Sequence, residues 1–114
     1  MLSKEFRLAK KKEVEAVFRR GKFARKDFLG LKCLKKNSEE KPKIAVVVSL
    51  KVEKRATLRN KLKRQIREII RKNLPQIEKG YHIVIFAYNG ASEQSFGQIK
   101  KNLEELLKKS SLLK

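Results

Sequence analysis

The sequence has little of several residue types on which common protein functions depend. One cysteine among 114 residues excludes an internal disulfide framework and suits a reducing compartment. There is no tryptophan to anchor the chain at a membrane interface, and no apolar run approaches the roughly 18–20 residues that span a bilayer. The first residues are charged and no hydrophobic region follows them. We therefore expect no signal peptide and a cytoplasmic location.

Residues for an independent active site are also scarce. His82 is the only histidine and Cys33 the only cysteine. The two could meet in space, but two ligands make a poor zinc site, and a nucleophile–base pair needs partners of matching type. The five glycines form no phosphate-binding loop, and the twelve acidic residues include no paired carboxylates in an apolar setting. We expect structural roles for His82 and Cys33, no catalytic residue, and no metal bound by the protein itself.

Basic residues dominate what is present. The chain has 31 Lys and Arg against 12 Asp and Glu, a formal net charge of +19. A folded chain tolerates such self-repulsion when its partner is a polyanion, so nucleic acid is the first candidate and an anionic membrane surface the second. The hydrophobic content of 40% is enough for one modest core, which predicts a single domain over residues 1–114.

The apolar pattern alternates between helical and strand periods, which predicts an α+β or α/β fold with helices covering a small sheet. The β-branched run from Ile44 to Val48 predicts a buried central strand. Asn89-Gly90 predicts a turn, with Ser92 as N-cap of the last helix. The predicted elements are a helix over 10–20 ending at Gly21, one or two strands within 23–34, a loop over 36–42, a strand over 44–48, a helix over 57–73 closed by Pro75, a strand over 81–88, and a last helix with the apolar stripe Phe96, Ile99, Leu103, Leu106 and Leu107.

The predicted helix over 57–73 has the most informative pattern. At ~100° per residue, its residues separate into an apolar side of Leu58, Leu62, Ile66 and Ile69 and a polar side of Asn60, Lys63, Arg64, Arg67 and Arg71. Glu68 is the only acid between Arg55 and Asn73, so we expect little local neutralisation. Like charges at i, i+4 repel by a few tenths of a kcal/mol each. A solvated face would usually mix signs, so this face is expected to bind phosphates.

The run RNKLKRQIRE, residues 59–68, resembles the "RNR" signature helix of the bacterial ribonuclease P protein subunit. The surrounding pattern fits that family from about Phe6 to Lys109: Arg7-Leu8 ahead of a helix ending VFRRG, then IAVVVS at 44–49, ATLRN at 56–60 and GYHIVI at 80–85. The resemblance implies a protein cofactor of an RNA-based endonuclease, which binds the catalytic RNA and the 5′ leader of precursor tRNA and promotes removal of the leader. It implies that the RNA does the cutting with Mg²⁺ bound mainly through RNA, and that the protein is a monomer within the complex.

The resemblance also implies a fold and two sites. The fold is a four-stranded sheet flanked by helices in the order α-β-β-β-α-β-α, with a left-handed βαβ crossover against the usual right-handed rule. The residues that would face the catalytic RNA are Arg55, Arg59, Asn60, Lys61, Lys63, Arg64, Arg67 and Arg71. A cleft between the first helix and the sheet would hold the single-stranded leader through Arg7, Lys10, Val14, Phe18, Phe28 and Leu31.

The sequence departs from the family pattern at several of these positions. Phe18 matches a cleft aromatic, but Val14 and Leu31 stand where aromatic residues are common, and Lys61 replaces the third signature arginine. Stacking of a base on an aromatic ring contributes about 1–3 kcal/mol. We therefore expect weaker leader affinity, or affinity supplied by Phe23, Phe28 and nearby Lys and Arg.

Two other classes of function remain open at this stage. One is a generic RNA- or DNA-binding protein, such as a ribosomal protein, in which Asn60 and Arg64 would contact base edges. The other is an amphipathic protein of the membrane surface. The second is disfavoured because the apolar faces of both long helices are expected to pack into a core.

Overall fold

The computed structural model describes residues 2–36 and 39–114. The elements follow the order α-β-β-β-α-β-α that the resemblance implies, with single 3₁₀ turns at Lys4–Phe6, Leu74–Gln76 and Ala91–Glu93. The predicted loop over 36–42 includes Asn37 and Ser38, which lie outside the described residues. The elements are α1 (Lys11–Arg20), β1 (Lys22–Lys26), β2 (Leu29–Lys35), β3 (Lys43–Val47), α2 (Ala56–Asn73), β4 (Tyr81–Ala87) and α3 (Phe96–Lys109).

The four strands form one mixed sheet in the order β1-β2-β4-β3. β1 pairs with β2 and β2 with β4 in antiparallel fashion, whereas β3 pairs with β4 in parallel. Helix α2 connects the parallel pair β3 and β4, as the implied crossover requires. The left hand of that crossover stays a prediction.

The prediction of a central strand at 44–48 is wrong, because β3 lies at the edge of the sheet and β4 takes the central position. The apolar character of β3 has another source. Its open edge is partly covered by the N-terminal segment, where the Leu8 amide donates to the Ile44 carbonyl at 2.9 Å. A strand that is covered on its faces and on part of its edge needs apolar residues as much as a central one does.

The sheet separates two layers of helices. Helices α2 and α3 pack on the face that carries Leu29, Leu31, Ile83 and Ile85, and together they form the main core. Helix α1 packs on the opposite face, where Val17 contacts a smaller apolar cluster around Val84. Within residues 2–36 and 39–114, no helix is long and apolar enough to cross a membrane.

The start of α3 differs from the prediction. Ser95, not Ser92, is the N-cap: its hydroxyl accepts from the Gln98 amide at 3.2 Å while the Gln98 side chain accepts from the Ser95 amide at 3.0 Å. This is a capping box, which satisfies two otherwise unpaired backbone groups. Gly90 supplies the left-handed conformation (φ 93°) of the predicted turn. Phe96 is 39% exposed, so the buried stripe of α3 begins at Ile99.

Candidate nucleic-acid interface

Helix α2 divides its surface as its period predicts. Leu62, Ile66 and Ile69 are buried in the main core together with Ile70, while Leu58 is only half-buried. Asn60, Lys61 and Arg64 are exposed on the other side, and Lys63 and Arg67 are partly exposed. The buried stripe fixes the rotation of the helix, so its cationic face points away from the sheet.

A buried carboxylate organises the beginning of α2. Glu53 is 6% exposed and accepts hydrogen bonds from the Arg55 amide and Arg55 Nε, both at 2.9 Å, from Arg55 Nη2 at 3.1 Å and from Ser92 Oγ at 2.5 Å. Hydrogen bonds from the Arg55 side chain, from Ser92 and from the Arg55 amide lower the pKa of Glu53 to about 2. Ser92, which was predicted as an N-cap, therefore links the turn before α3 to the start of α2 through its hydrogen bond to Glu53.

Two further basic residues of α2 have partners within the protein. Arg59 Nη1 donates to the backbone carbonyls of Glu53 and Lys54 at 3.1 and 3.3 Å. Arg71 forms a forked ion pair with Glu68, in which Nε donates at 3.0 Å and Nη2 at 2.5 Å, and this pair lowers the pKa of Glu68 to about 2. The expectation of little neutralisation along the cationic row is therefore wrong at Arg71.

The middle of α2 keeps its polar groups available. Arg55, Arg59 and Arg71 are engaged within the protein, and Arg55 also receives a raised pKa from its bond to Glu53. The remaining predicted RNA-facing residues have no hydrogen-bond or ion-pair partner within the described part of the chain; these are Asn60, Lys61, Lys63, Arg64 and Arg67.

A second surface lies where α1 meets the sheet. The deep part of this junction is filled, because Val17 and Leu8 are buried against Val84, and Val14 packs beside them. Lys32 joins the two elements, since its Nζ donates to the carbonyl of Phe18 at 2.6 Å. Among the described residues, the rim is the part of the predicted cleft that stays open to a ligand.

Four aromatic rings line that rim, and we call Phe18, Phe23, Phe86 and Tyr88 the aromatic cluster. The Phe86 ring lies at the centre, with its centroid 5.8 Å from that of Phe18, 6.2 Å from Phe23 and 5.7 Å from Tyr88. Phe18 is 37% exposed and Phe23 56% exposed, so half of the cluster presents apolar area to solvent. Rings at these separations pack favourably and leave accessible π faces.

Cations surround the aromatic cluster. The Arg25 guanidinium lies 3.7 Å from the centroid of the Tyr88 ring, and Lys32 Nζ lies 5.5 Å from that of Phe18. Exposed rings flanked by cations are the combination that proteins use to hold bases and phosphates of single-stranded nucleic acid.

A glycine in β2 makes room for the cluster. A Cβ at Gly30 would lie 2.5 Å from Cε2 and 2.8 Å from Cζ of Phe86, and 2.9 Å from Cε2 of Tyr88. Any side chain at this position would push both rings out of their places, because carbon atoms in contact are separated by about 3.5–4.0 Å.

The structure brings some of the predicted cleft residues together and separates others. Phe18 is in the aromatic cluster, and Val14 lies half-buried beneath it in the α1–sheet junction. Arg7 and Lys10 are exposed at the N-terminal end of α1, where Arg7 Nε donates to the Leu2 carbonyl at 2.8 Å.

The prediction for Leu31 and Phe28 is wrong. Leu31 is completely buried in the main core, and Phe28 packs against the same core. Residues alternate between the two faces of a strand, and the register that pairs Leu31 with Ile85 turns both toward α2 and α3. Phe23 of β1 instead supplies an aromatic ring on the cleft face.

Two members of the aromatic cluster were missed in the sequence. Phe86 and Tyr88 alternate with the buried residues Ile85 and Ala87 in and just after β4. That alternation is a sequence signal for a second face of the strand, although it does not tell which helix covers that face.

Cys33 and His82 lie on opposite faces of the sheet, because Cys33 pairs with Ile83 and successive residues of a strand alternate between its faces. Burial raises the pKa of the Cys33 thiol, which keeps it protonated, and burial lowers the pKa of His82, which keeps it neutral. No group of three or more His, Cys, Asp or Glu is placed to hold a metal ion in residues 2–36 and 39–114.

Comparison with known proteins gives a consistent family. The sequence model of the ribonuclease P family matches residues 2–111. The chain is 34% identical to a ribonuclease P protein component of Cyanothece over 99% of this chain and 98% of the relative. It is 37% identical to one from Clostridium botulinum over 96% of this chain and 97% of that one.

Solved structures agree with the fold. The Staphylococcus aureus RNase P protein superposes with a TM-score of 0.86 at 26% identity, covering 97% of this chain and 100% of that one. The Thermotoga maritima RNase P protein gives a TM-score of 0.81 at 32% identity, covering 90% of this chain and 96% of that one. With the basic signature helix and the α-β-β-β-α-β-α order, these matches show that the chain belongs to the ribonuclease P protein family, the protein subunit of an RNA-based endoribonuclease of tRNA processing.

Proposed function

We propose that the exposed face of α2 binds the ribonuclease P RNA and that the aromatic cluster binds the 5′ leader of precursor tRNA, which together promote removal of the leader. The observation that carries this proposal is a set of five polar residues on α2 that have no partner in the described part of the chain and that lie opposite a buried apolar stripe. Family membership supports RNA as the ligand.

The α2 face is suited to an RNA backbone. Lys63 and Arg67 follow each other at i, i+4, and their mutual repulsion is relieved when phosphates lie between them. The planar fork of Arg64 and of Arg67 can hold two phosphate oxygens at once, which Lys61 cannot do. If about five phosphates are contacted, the affinity should fall with salt with a log–log slope of about −4.

The aromatic cluster is suited to single-stranded nucleic acid. Its exposed rings can stack with bases irrespective of sequence, and Arg25 and Lys32 stand beside them to meet the phosphates. Because the deep α1–sheet junction is filled, the leader lies across the rim. Mg²⁺ belongs in this proposal to the RNA of the assembled enzyme, and the protein contributes binding and orientation.

Reconstitution tests the role of α2. The protein is mixed with a bacterial ribonuclease P RNA and a precursor tRNA, at a Mg²⁺ concentration too low for the RNA alone. Cleavage at the mature 5′ end only with protein present is the expected result. Arg64→Ala and Arg67→Ala should each weaken RNA binding and reduce the salt slope by about 1. Lys100→Ala, an exposed cation of α3, is the control that should change neither.

Phe18→Ala tests the aromatic cluster. It should weaken binding of precursor tRNA to the assembled enzyme while binding of the protein to the catalytic RNA is unchanged. An equal loss in both assays would show that Phe18 only supports the fold. Tight, salt-sensitive RNA binding without any stimulation of cleavage would indicate a generic RNA-binding domain.

A further inference from the structure

An open groove runs along the free edge of the sheet, next to the aromatic cluster. It lies between β1, the end of β2 and the last turn of α3, with a volume of about 880 Å³. Cys33 and Tyr81 are among its lining residues. We call it the edge groove and define it by its basic residues Arg20, Lys22, Arg25, Lys35 and Lys109.

The charge of the edge groove has one sign. Among the residues that the structure describes, its lining contains five Lys and Arg and no acidic residue. None of the five forms an ion pair with an acid in the described part of the chain. Arg25 and Lys109 have intramolecular contacts: Arg25 Nε donates to the Asp27 carbonyl at 3.2 Å and Lys109 Nζ to the Arg25 carbonyl at 3.2 Å. A concave surface lined by unneutralised cations favours an anionic occupant.

The backbone around the groove is partly satisfied within the protein. Of the last carbonyls of α3, which would repel an anion, those of Lys108 and Leu107 accept from the Ser111 and Leu112 amides at 3.0 Å each. In residues 2–36 and 39–114 β1 pairs only with β2, which leaves its other edge open, and Lys109 donates to the Arg25 carbonyl of β1. A second copy of this chain would place the same cations against the groove, so edge-to-edge pairing is disfavoured.

The edge groove is continuous with the aromatic cluster. Phe23 and Arg25 line the groove and also take part in the cluster, where Phe23 lies against Phe86 and Arg25 over Tyr88. A single strand that leaves the cluster at Phe23 and passes around the open edge of β1 therefore meets the groove next, with exposed Lys22 at that edge and Lys35 further along.

We propose that the edge groove holds the phosphodiester backbone of the distal, 5′ part of a long leader, after the proximal part has crossed the aromatic cluster. This inference rests on the proposed function. Because the contact is to phosphates, it adds affinity for long leaders without adding sequence preference.

The test compares leader lengths in the reconstituted enzyme. A series of precursor tRNAs with leaders of up to about 16 nucleotides covers the range of single-strand sites. The shortest leader whose affinity depends on Phe18 serves as the short substrate. The double variant Lys22→Gln/Lys35→Gln should lose the affinity that wild type gains from the longest leader. Its log–log salt slope for binding that leader should fall by about 2, whereas its affinity for the short substrate should be unchanged. The control Lys4→Gln/Lys100→Gln removes the same charge at exposed sites outside the groove and should behave as wild type.

Each other outcome overturns the inference in a distinct way. If the double variant still gains affinity from the longest leader as wild type does, the distal leader does not bind in the groove. An equal loss for both substrates would assign the groove to the catalytic RNA or the tRNA body. If wild type is a dimer, the double variant is a monomer and the affinity for the leader is unchanged, the groove is an interface between copies of the chain. Absence of any dependence on Phe18 at every leader length would overturn the proposed leader site together with this inference.

Discussion

Gly30→Ala is the sharpest test of the aromatic cluster, because it changes the cluster from the strand beneath it without removing a ring. The added Cβ would lie 2.5–2.9 Å from atoms of Phe86 and Tyr88, so both rings must move by about 1 Å to reach ordinary contact distances. The clash falls on ring atoms and not on backbone, so we expect the fold to persist. Overpacking of this kind costs typically about 1–3 kcal/mol.

The expected functional effect exceeds the effect on folding. Phe86 is the ring that touches Phe18, Phe23 and Tyr88, so its displacement disturbs all three of these ring–ring contacts. Loss of one stacked base weakens leader binding by about 1–3 kcal/mol, or about 5- to 150-fold in Kd. The assay compares the Kd of the reconstituted enzyme for precursor tRNA and for mature tRNA. Only the first should change, and binding of the protein to the catalytic RNA should stay the same.

A matched glycine supplies the control. Gly97 lies in the first turn of α3, where the nearest atom to an added Cβ is Ser95 Oγ at 4.0 Å. Gly97→Ala should therefore stabilise the protein by about 0.5–1 kcal/mol and leave leader binding unchanged. If folded Gly30→Ala binds precursor tRNA as tightly as wild type does, the aromatic cluster is not where the leader stacks.

Three further predictions concern stability. The pKa values of Glu53 and Glu68 are lowered from 4.5 to about 2 in the folded protein. Their contribution to the free energy of unfolding is therefore full above about pH 4.5 and is lost as the pH falls toward 2, which urea unfolding at a series of pH values measures. Glu53→Gln should lower the urea midpoint and flatten that acid dependence, since Arg55 and Ser92 lose their charged acceptor; an unchanged profile would contradict the assignment. Asn102 is 4% exposed, and neither polar atom of its side chain has a hydrogen-bond partner in the described part of the chain. Asn102→Leu should therefore raise the free energy of unfolding by about 1–3 kcal/mol, and a lower urea midpoint would refute this.

Much of the α2 surface could be predicted from sequence, because helical geometry alone places residues three and four apart on one side. The interactions made by Glu68 and Glu53, the partners of Arg71 and Arg55, differ in how far they could be predicted from the sequence. Glu68 stands three residues before Arg71, so that pair is visible in sequence, whereas the bond between Ser92 and Glu53 joins residues 39 positions apart and depends on the fold. The capping box was also visible, since Ser95 and Gln98 have its spacing.

The leader site was less predictable than α2, because it is assembled from elements distant in the chain. Phe18 comes from α1, Phe23 from β1, and Phe86 and Tyr88 from β4 and its end. Their shared face follows from strand register, and a shift of one residue would have turned Leu31 toward the cleft and Lys32 into the core.

The sequence by itself determined the net charge of +19, the two sides of α2, and the order of helices and strands apart from whether residues 23–34 form one strand or two, because these depend on composition and on local periods of 3.6 and 2 residues. Tertiary structure alone decided that β4 inserts between β2 and β3, that Leu31 faces the core, and that four rings meet, two of them over Gly30. The physical reason is that strand order and register are set by which faces the three helices can bury together, and no local segment contains that information.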